Sequence, residues 1–246
     1  MKRRTAVVAA AAMTLAVPAA WAGTATDGTH DLTFDIGVSP AKTSTAGKPK
    51  AVQLSYKHVF VRKDGTRPQT IYERLTVTLA KGFVVDPKAT AQCRETVLAK
   101  ASSKCPKGSN VGSGKAVADA RPTVATPITA PVTIFNGLEE RDANNKPITP
   151  RPAIFVVAKV GDMETYFVAE IRGTKLVVDF PTPTSNDLGL FIIREISFKI
   201  RAISTGKRAY IAAPTTCPKR GWSFSETDEF FRGAKTITAK DSQSCS

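Results

Sequence analysis

The 246-residue sequence has few of the residues on which nucleophilic catalysis and metal binding usually depend. It contains two histidines and no Gly-x-Ser-x-Gly motif. We place His30 in a flexible start of the mature chain and interpret His58 as a histidine at a sheet edge. Because a serine or cysteine nucleophile needs a base beside it, a catalytic triad is not expected. The four cysteines are separated by 11, 111 and 27 residues, so the close ligand pairs of a zinc site are missing. The sequence therefore predicts no catalytic residue, no bound metal and no cofactor.

A phosphate-binding loop is also missing. The glycine-rich stretch 108–115 has five residues between its first glycine and Gly114-Lys115, and Ala116 follows. A P-loop has four residues there and a Ser or Thr after the lysine, and it opens a helix. Residues 115–118 predict a strand instead, so nucleotide binding is not expected.

Long apolar runs are absent after residue 22, and none approaches the 18 residues of a membrane-spanning helix. The first 22 residues do have a targeting pattern. Residues 2–4 are basic, residues 5–17 are uncharged and mostly apolar, and Ala20-Trp21-Ala22 has the small-x-small pattern that signal peptidase recognises. We predict a signal peptide over 1–22, cleavage after Ala22, and a mature chain that is secreted or associated with the cell envelope, with no transmembrane segment.

Acidic residues are fewer than basic ones, 21 against 35. Three basic residues and no acidic one lie in the predicted signal peptide, which leaves 32 basic and 21 acidic residues and a net charge of +11. Such an excess favours an anionic partner, for example a polymer of the cell envelope. The basic residues are dispersed, however, which is more typical of a soluble surface and does not indicate sequence-specific nucleic-acid binding.

Four cysteines in an exported chain predict two disulfides. Three pairings are possible, and proximity along the chain favours Cys93–Cys105 with Cys217–Cys245. The same cysteines are the only site residues that the sequence assigns.

Short alternating segments separated by turn residues dominate the chain, the pattern of an antiparallel β-sandwich of the immunoglobulin-like or jelly-roll-like kind. Segments 154–160, 166–171 and 176–180 predict a meander with turns at Gly161 and Gly173. Segment 192–201 alternates except at Arg194. We interpret Arg194 as a snorkelling or ion-paired residue near the rim of the sheet, in preference to an arginine that contacts a ligand.

One helix is predicted over 86–101, with Asp86 as its N-cap and Pro87 at its first position. Segments 122–131 and 139–152 are rich in proline and polar residues, and we interpret both as long loops within one sandwich domain that covers 23–246. A split into two domains near 139–152 is the alternative.

Some residues are candidates for a carbohydrate-active or ligand-binding site. Four carboxylates lie in predicted strands and could form a glycosidase pair if a cleft joined two of them: Glu73, Glu170, Asp179 and Glu195. The adjacent acids at 139–140 and 228–229 are interpreted as solvated loop charge, and the acidic turn 142–145 as too sparse for calcium. Trp222 and Phe224 could stack on a sugar if exposed, but core packing beside a disulfide is the favoured interpretation.

Two groups of motifs resemble a group of secreted actinobacterial β-sandwich proteins with no assigned function. The first group comprises Lys81-Gly82-Phe83, Asp86-Pro87, Cys93 and Cys105-Pro106-x-Gly-Ser-x-Val-Gly112; the second comprises Thr216-Cys217-Pro218, Trp222-Ser-Phe224 and Cys245. The resemblance covers 75–246 and departs from the pattern before residue 75 and in 139–152. It implies the architecture and no catalytic residue.

We therefore expect an exported, non-enzymatic binding or structural protein of the cell envelope or extracellular space. A carboxylate-dependent glycan hydrolase and an electrostatic binder of anionic cell-wall polymer are the alternatives.

Overall fold

The computed structural model describes residues 22–66, 68, 71–119, 126–181, 192–231 and 235–246. The predicted signal peptide lies outside these residues except for Ala22, and so it stays a prediction. Within the described part of the chain, no helix is long and apolar enough to cross a membrane.

The described residues form seventeen β-strands, which confirms the mainly β class. Their bounds are β1 Gly23–Thr26, β2 His30–Ser39, β3 Gln53–Arg62, β4 Tyr72–Thr78, β5 Val84–Val85, β6 Cys93–Arg94, β7 Asn110–Asp119, β8 Ile128–Arg141, β9 Pro147–Val160, β10 Met163–Arg172, β11 Lys175–Asp179, β12 Ile192–Ile200, β13 Ser204–Thr205, β14 Arg208–Ala209, β15 Ile211–Ala212, β16 Trp222–Phe230 and β17 Ile237–Gln243.

Twelve of these strands follow one another in a single antiparallel sheet. Their order is β1-β2-β3-β12-β7-β8-β9-β10-β11-β4-β16-β17, and β6 joins β8 in parallel. The predicted meander is confirmed as β9, β10 and β11, whose turns use Gly161 and Gly173 at positive φ. The predicted two-sheet sandwich is not confirmed, because hydrogen-bonded pairing continues from β1 to β17 without a break.

The two ends of this sheet lie against each other, so that it nearly closes like a barrel. The free edge of β2 is met by side chains of β17: the Ile36 amide donates to Asp241 Oδ2 at 2.8 Å, and Val38 exchanges two hydrogen bonds with the Gln243 side-chain amide. β1 passes close to β17, since a Cβ on Gly23 would lie 1.9 Å from the Lys240 carbonyl oxygen. Side chains, rather than a backbone ladder, close the seam between β2 and β17.

The main core fills the interior of this curved sheet. Among its largest fully buried side chains are Trp222, Tyr210, Phe34, Phe60 and Phe224. Full burial of an apolar side chain contributes about 1.5–3 kcal/mol, so the inward faces of the strands supply most of the stability.

Residues 86–101 do not form the predicted single helix. They form a 3₁₀ turn at Pro87–Ala89, then β6, then one α-helical turn, α1, at Glu95–Leu98. The Asn136 side-chain amide donates to the Pro87 and Ala91 carbonyl oxygens at 2.8 and 3.0 Å, and β6 pairs with β8. These tertiary bonds outweigh the helix propensity of a segment too short to be stable alone.

Both predicted disulfides are confirmed, Cys93–Cys105 and Cys217–Cys245. The first fixes the segment that carries α1 over a second, smaller core on the outer face of β8, β9 and β10. Two disulfides indicate an oxidising compartment, consistent with residence outside the cytoplasm.

The predicted loop 139–152 is a long hairpin, because β8 runs to Arg141 and β9 starts at Pro147. Only residues 142–146 form its turn, where Asp142 Oδ1 accepts bonds from the Asn144 and Lys146 amides. β8 also includes residues 128–131 of the other predicted loop, whose residues 122–125 lie outside the described part of the chain. Strand pairing between β8 and β9 continues through most of 139–152.

Candidate functional sites

Three lysines from separate parts of the sequence line one groove on the outer face of β3, β12 and β7. Strand register places Lys57 and Lys115 on either side of Ser197, while Lys199 lies between Ser55 and Ser113. We call these six residues, with Gly114 and Asp35, the lysine groove; its volume is about 440 Å³.

The floor of the lysine groove is low because its residues are small. A Cβ on Gly114 would lie 2.0 Å from the Ser197 carbonyl oxygen, so no side chain fits there. The three lysines are exposed, and Lys115 Nζ lies 3.2 Å from Glu195 Oε1. Lys57 and Lys199 have no ion pair with any described residue. The groove thus presents hydroxyl groups, the Asp35 carboxylate, and two ammonium groups with no ion pair among the described residues.

A second site lies inside the sheet, where five polar side chains meet: Tyr56, His58, Tyr72, Glu226 and Asp228. We call them the interior cluster. His58 Nδ1 lies 2.7 Å from Glu226 Oε1, and His58 Nε2 lies 3.0 Å from the Tyr72 hydroxyl. The Tyr56 hydroxyl donates to Glu226 Oε2 at 2.5 Å. His58, Glu226 and Asp228 are all buried.

The electrostatics of the interior cluster follow from burial and proximity. Burial lowers the pKa of His58, but the charge and hydrogen bond of Glu226 raise it more, so that the net direction is upward. Burial, and then the Glu226 carboxylate, raise the pKa of Asp228 well above its ordinary value, although His58 opposes this. The His58–Glu226 contact is an ion pair when His58 is protonated, whereas neither Asp228 oxygen has a hydrogen-bond partner in the described part of the chain.

An apolar cavity of about 80 Å³ adjoins the interior cluster and is lined by His58, Tyr56 and Tyr72 at that end. A water molecule needs about 10–15 Å³ of such space, so several heavy atoms fit. The rest of the lining is apolar and includes half-buried side chains: Leu75, Phe167, Leu176, Val178, Phe180 and Ile193.

Several sequence interpretations of the acidic and histidine residues are wrong. His58 does not lie at a sheet edge, because β2 and β12 pair with β3 on both sides. His30 is not in a flexible start; it is buried in β2 and stacks on Phe60. Asp228 is fully buried rather than solvated. The alternation of β16 is a signal that could have located it, since residues 222, 224, 226, 228 and 230 share one face.

Glu139 and Glu140 are buried too, contrary to the prediction of solvated charge. Glu140 accepts bonds from the Arg94 side chain at 2.7 Å and from the Thr96 hydroxyl at 2.6 Å. Glu139 Oε2 lies 3.2 Å from an Arg151 nitrogen, and the same guanidinium lies 3.1 Å from Glu170. The acids and the guanidinium form a network on the outer face of β8, β9 and β10.

The four strand carboxylates considered for a glycosidase pair do not face one another across a cleft in the described residues. Asp179 binds Arg74, Glu195 binds Lys115, and Glu73 is exposed on β4. Arg172 contacts both Glu170 and Asp179, so that a guanidinium group lies between these two candidates, and Arg151 also contacts Glu170. This arrangement does not favour hydrolysis of a glycoside.

Trp222, Phe224 and Arg194 lie where the sequence placed them. Trp222 and Phe224 are each 1% exposed, which confirms core packing and excludes a stacking platform at these rings. Arg194 is half-buried at an irregularity of β12, with a guanidinium nitrogen 3.9 Å from Asp119 Oδ2. Residues 110–115 of the glycine-rich stretch already belong to β7, and the stretch does not open a helix.

The buried carboxyl group of Glu139 should make the folding stability of the protein depend on pH. Burial raises the pKa of its carboxyl from 4.5 to about 7, while Arg151 opposes and Glu170 and Glu95 add to the rise. Because the folded protein holds this proton more tightly than the unfolded chain, its contribution to stability is complete below about pH 4.5 and is lost as the pH rises to about 7.

Glu139→Gln should therefore gain stability relative to the original protein between about pH 4.5 and pH 8, by about 1–2 kcal/mol, measured by urea denaturation. The exposed Glu73, changed to Gln, is the matched control and should show no such trend. An E139Q difference that stays constant across this pH range would contradict the assignment.

Comparisons with known proteins give no further identification. No family model matches the chain, and neither a curated protein nor a solved structure is significantly similar to it.

Proposed function

We propose that the protein is an exported, non-enzymatic binding protein whose lysine groove holds an anionic polymer of the cell envelope. The observation that carries this proposal is the convergence of Lys57, Lys115 and Lys199 on one groove with a serine and glycine floor. Ammonium groups bind phosphate or carboxylate groups of a polymer, and serine hydroxyls add hydrogen bonds to them.

The lysine groove contributes more to polymer binding than the overall net charge of the protein does. Salt at about 0.15 M screens charges beyond about 8 Å, so the excess of +11 spread over the chain attracts a polymer only weakly. Charges that touch the polymer are screened less, and two of the groove lysines do not have to break an ion pair first. The two disulfides agree with the exported location.

The test is a change of two groove lysines. The variant Lys57→Ser/Lys199→Ser should bind poly(glycerol phosphate), a phosphodiester polymer, about two- to thirtyfold more weakly, since each exposed contact contributes about 0.2–1 kcal/mol. Binding is measured by titration at low salt and again at high salt, and the original protein should lose affinity as the salt rises.

The matched control is Lys107→Ser/Lys219→Ser, which removes the same charge from two exposed turns outside the groove. It should bind almost as well as the original protein. Equal losses in both double variants would show that only net charge matters, and salt-independent binding would remove the electrostatic basis altogether.

A further inference from the structure

Asp228 is the most anomalous side chain in the described structure. It is fully buried in β16, and neither of its carboxylate oxygens has a hydrogen-bond partner. Burying a polar group without a partner is costly, and the cost is higher for a charged group. A proton on Asp228 would remove the charge but would leave both oxygens without a partner.

The orphaned carboxylate points towards two other ligating groups. One oxygen of Asp228, one of Glu226 and a ring nitrogen of His58 lie within 4.8 Å of one another. Adjacent ligands of a tetrahedral zinc ion at about 2.0–2.2 Å are about 3.3–3.6 Å apart. The three atoms therefore need shifts of only about an ångström to surround one ion.

The surrounding hydrogen bonds match those of a metal centre. A histidine that binds metal through one ring nitrogen usually donates its other N–H to a neighbouring group, and ligating carboxylates are themselves hydrogen-bonded. Here the Tyr72 hydroxyl lies 3.0 Å from His58 Nε2, which leaves Nδ1 to face Glu226 and the ion. The Tyr56 hydroxyl donates a hydrogen bond to the other carboxylate oxygen of Glu226, Oε2.

The charges also balance. Metal ligation requires a neutral imidazole and ionised carboxylates, so the three ligands would together carry two negative charges in an apolar core. A divalent cation neutralises both and supplies a partner for Asp228, which no described side chain does.

We propose that His58 Nδ1, Glu226 and Asp228 form a binding site for one divalent transition-metal ion inside the sheet. This site is separate from the lysine groove and does not depend on the function proposed for it. Imidazole together with two carboxylates suits Zn²⁺ better than Mg²⁺, because Mg²⁺ prefers oxygen ligands in octahedral geometry.

The experiment uses the exported, disulfide-bonded protein without a polyhistidine tag. The protein is dialysed against a chelator and then titrated with Zn²⁺ or with Mg²⁺, and bound metal is counted by elemental analysis after gel filtration. We expect one Zn²⁺ per chain, no comparable binding of Mg²⁺, and a rise of the thermal midpoint with free Zn²⁺ concentration, since a ligand that binds the folded state stabilises it.

Asp228→Asn should weaken Zn²⁺ binding by more than the about 10–100-fold loss seen when an outer-shell partner is changed. Asp241→Asn makes the same chemical change at another buried aspartate, outside the interior cluster, and should bind like the original protein. Circular dichroism establishes that each variant is folded, and His58→Gln replaces Asp228→Asn if the latter fails to fold.

Three results would overturn the site: no stoichiometric Zn²⁺ in the original protein, equal binding of Mg²⁺ and Zn²⁺, or equal losses in the Asp228 and Asp241 variants. Co²⁺ provides a measurement that needs no variant. Its visible absorption bands should show a four- or five-coordinate nitrogen–oxygen site, whereas the spectrum of hexaaqua Co²⁺ would count against an internal ion.

Discussion

Leucine in place of Glu226 is expected to destabilise the metal-free protein by about 3–5 kcal/mol, which makes it one of the largest effects of any single substitution. The change leaves the His58 Nδ1 atom and the Tyr56 hydroxyl without their partner in a fully buried environment. The free energy of unfolding from urea denaturation, with both disulfides intact, measures it. Glu229→Leu, three residues farther along β16 and half-buried on the other face, should change stability by only about 0.5 kcal/mol.

A double variant separates the lost ion pair from a lost packing contact. Glu226→Leu/His58→Leu removes both charged partners, and replacing a buried pair by apolar groups is often close to neutral. The double variant should therefore be more stable than the single Glu226→Leu variant. A single substitution that costs less than about 1 kcal/mol, or a double variant with fully additive losses, would show that the two groups do not interact.

Trp222→Ala is the second substitution with a large expected effect, a loss of about 3–5 kcal/mol. The ring is 1% exposed, lies edge-on to Phe83 at a centroid distance of 5.0 Å, and donates from Nε1 to the Thr216 carbonyl oxygen at 3.1 Å. Thr216 precedes Cys217, so the ring also supports the end of the chain that the second disulfide fixes.

Trp222→Phe is the control, since it keeps most of the ring and loses the N–H donor. Its loss should be about 1–2 kcal/mol, clearly smaller than that of the alanine variant. Thermal and urea denaturation of both variants measure these stability losses. Similar stability of Trp222→Ala and the original protein would mean that the ring is not packed in the core.

The parts of the fold that the sequence predicted correctly depend on local signals. Alternation and turn glycines identified β9, β10 and β11, and short loop lengths favoured the two disulfides that are present. The closure of the sheet was not predicted, because a strand with one buried face looks the same in a sandwich and in a closed sheet. Pairing between β3 and β12 or between β4 and β16 depends on contacts between distant parts of the chain.

The candidate sites were missed for a related reason. Lys57, Lys115 and Lys199 are dispersed in sequence, and only the register of β3, β12 and β7 brings them together. Because a shift by one residue turns every side chain to the other face, register has to be known before such a groove can be recognised. Glu226 and Asp228 were recognisable from the alternation of β16, but their partner His58 lies on β3, which does not pair with β16.

The seam between β2 and β17 affects how the chain assembles. Asp241 and Gln243 lie 205 residues after the β2 residues whose amides they bind, so this seam can form only when nearly the whole chain is present. Until then β2 presents unpaired backbone groups, and such an edge can pair with a strand of another chain. Aggregation during folding should therefore begin at this edge, and Asp241→Ala or Gln243→Ala, each of which removes a side-chain hydrogen-bond acceptor of the seam, should lower the yield of soluble protein before it alters the final structure.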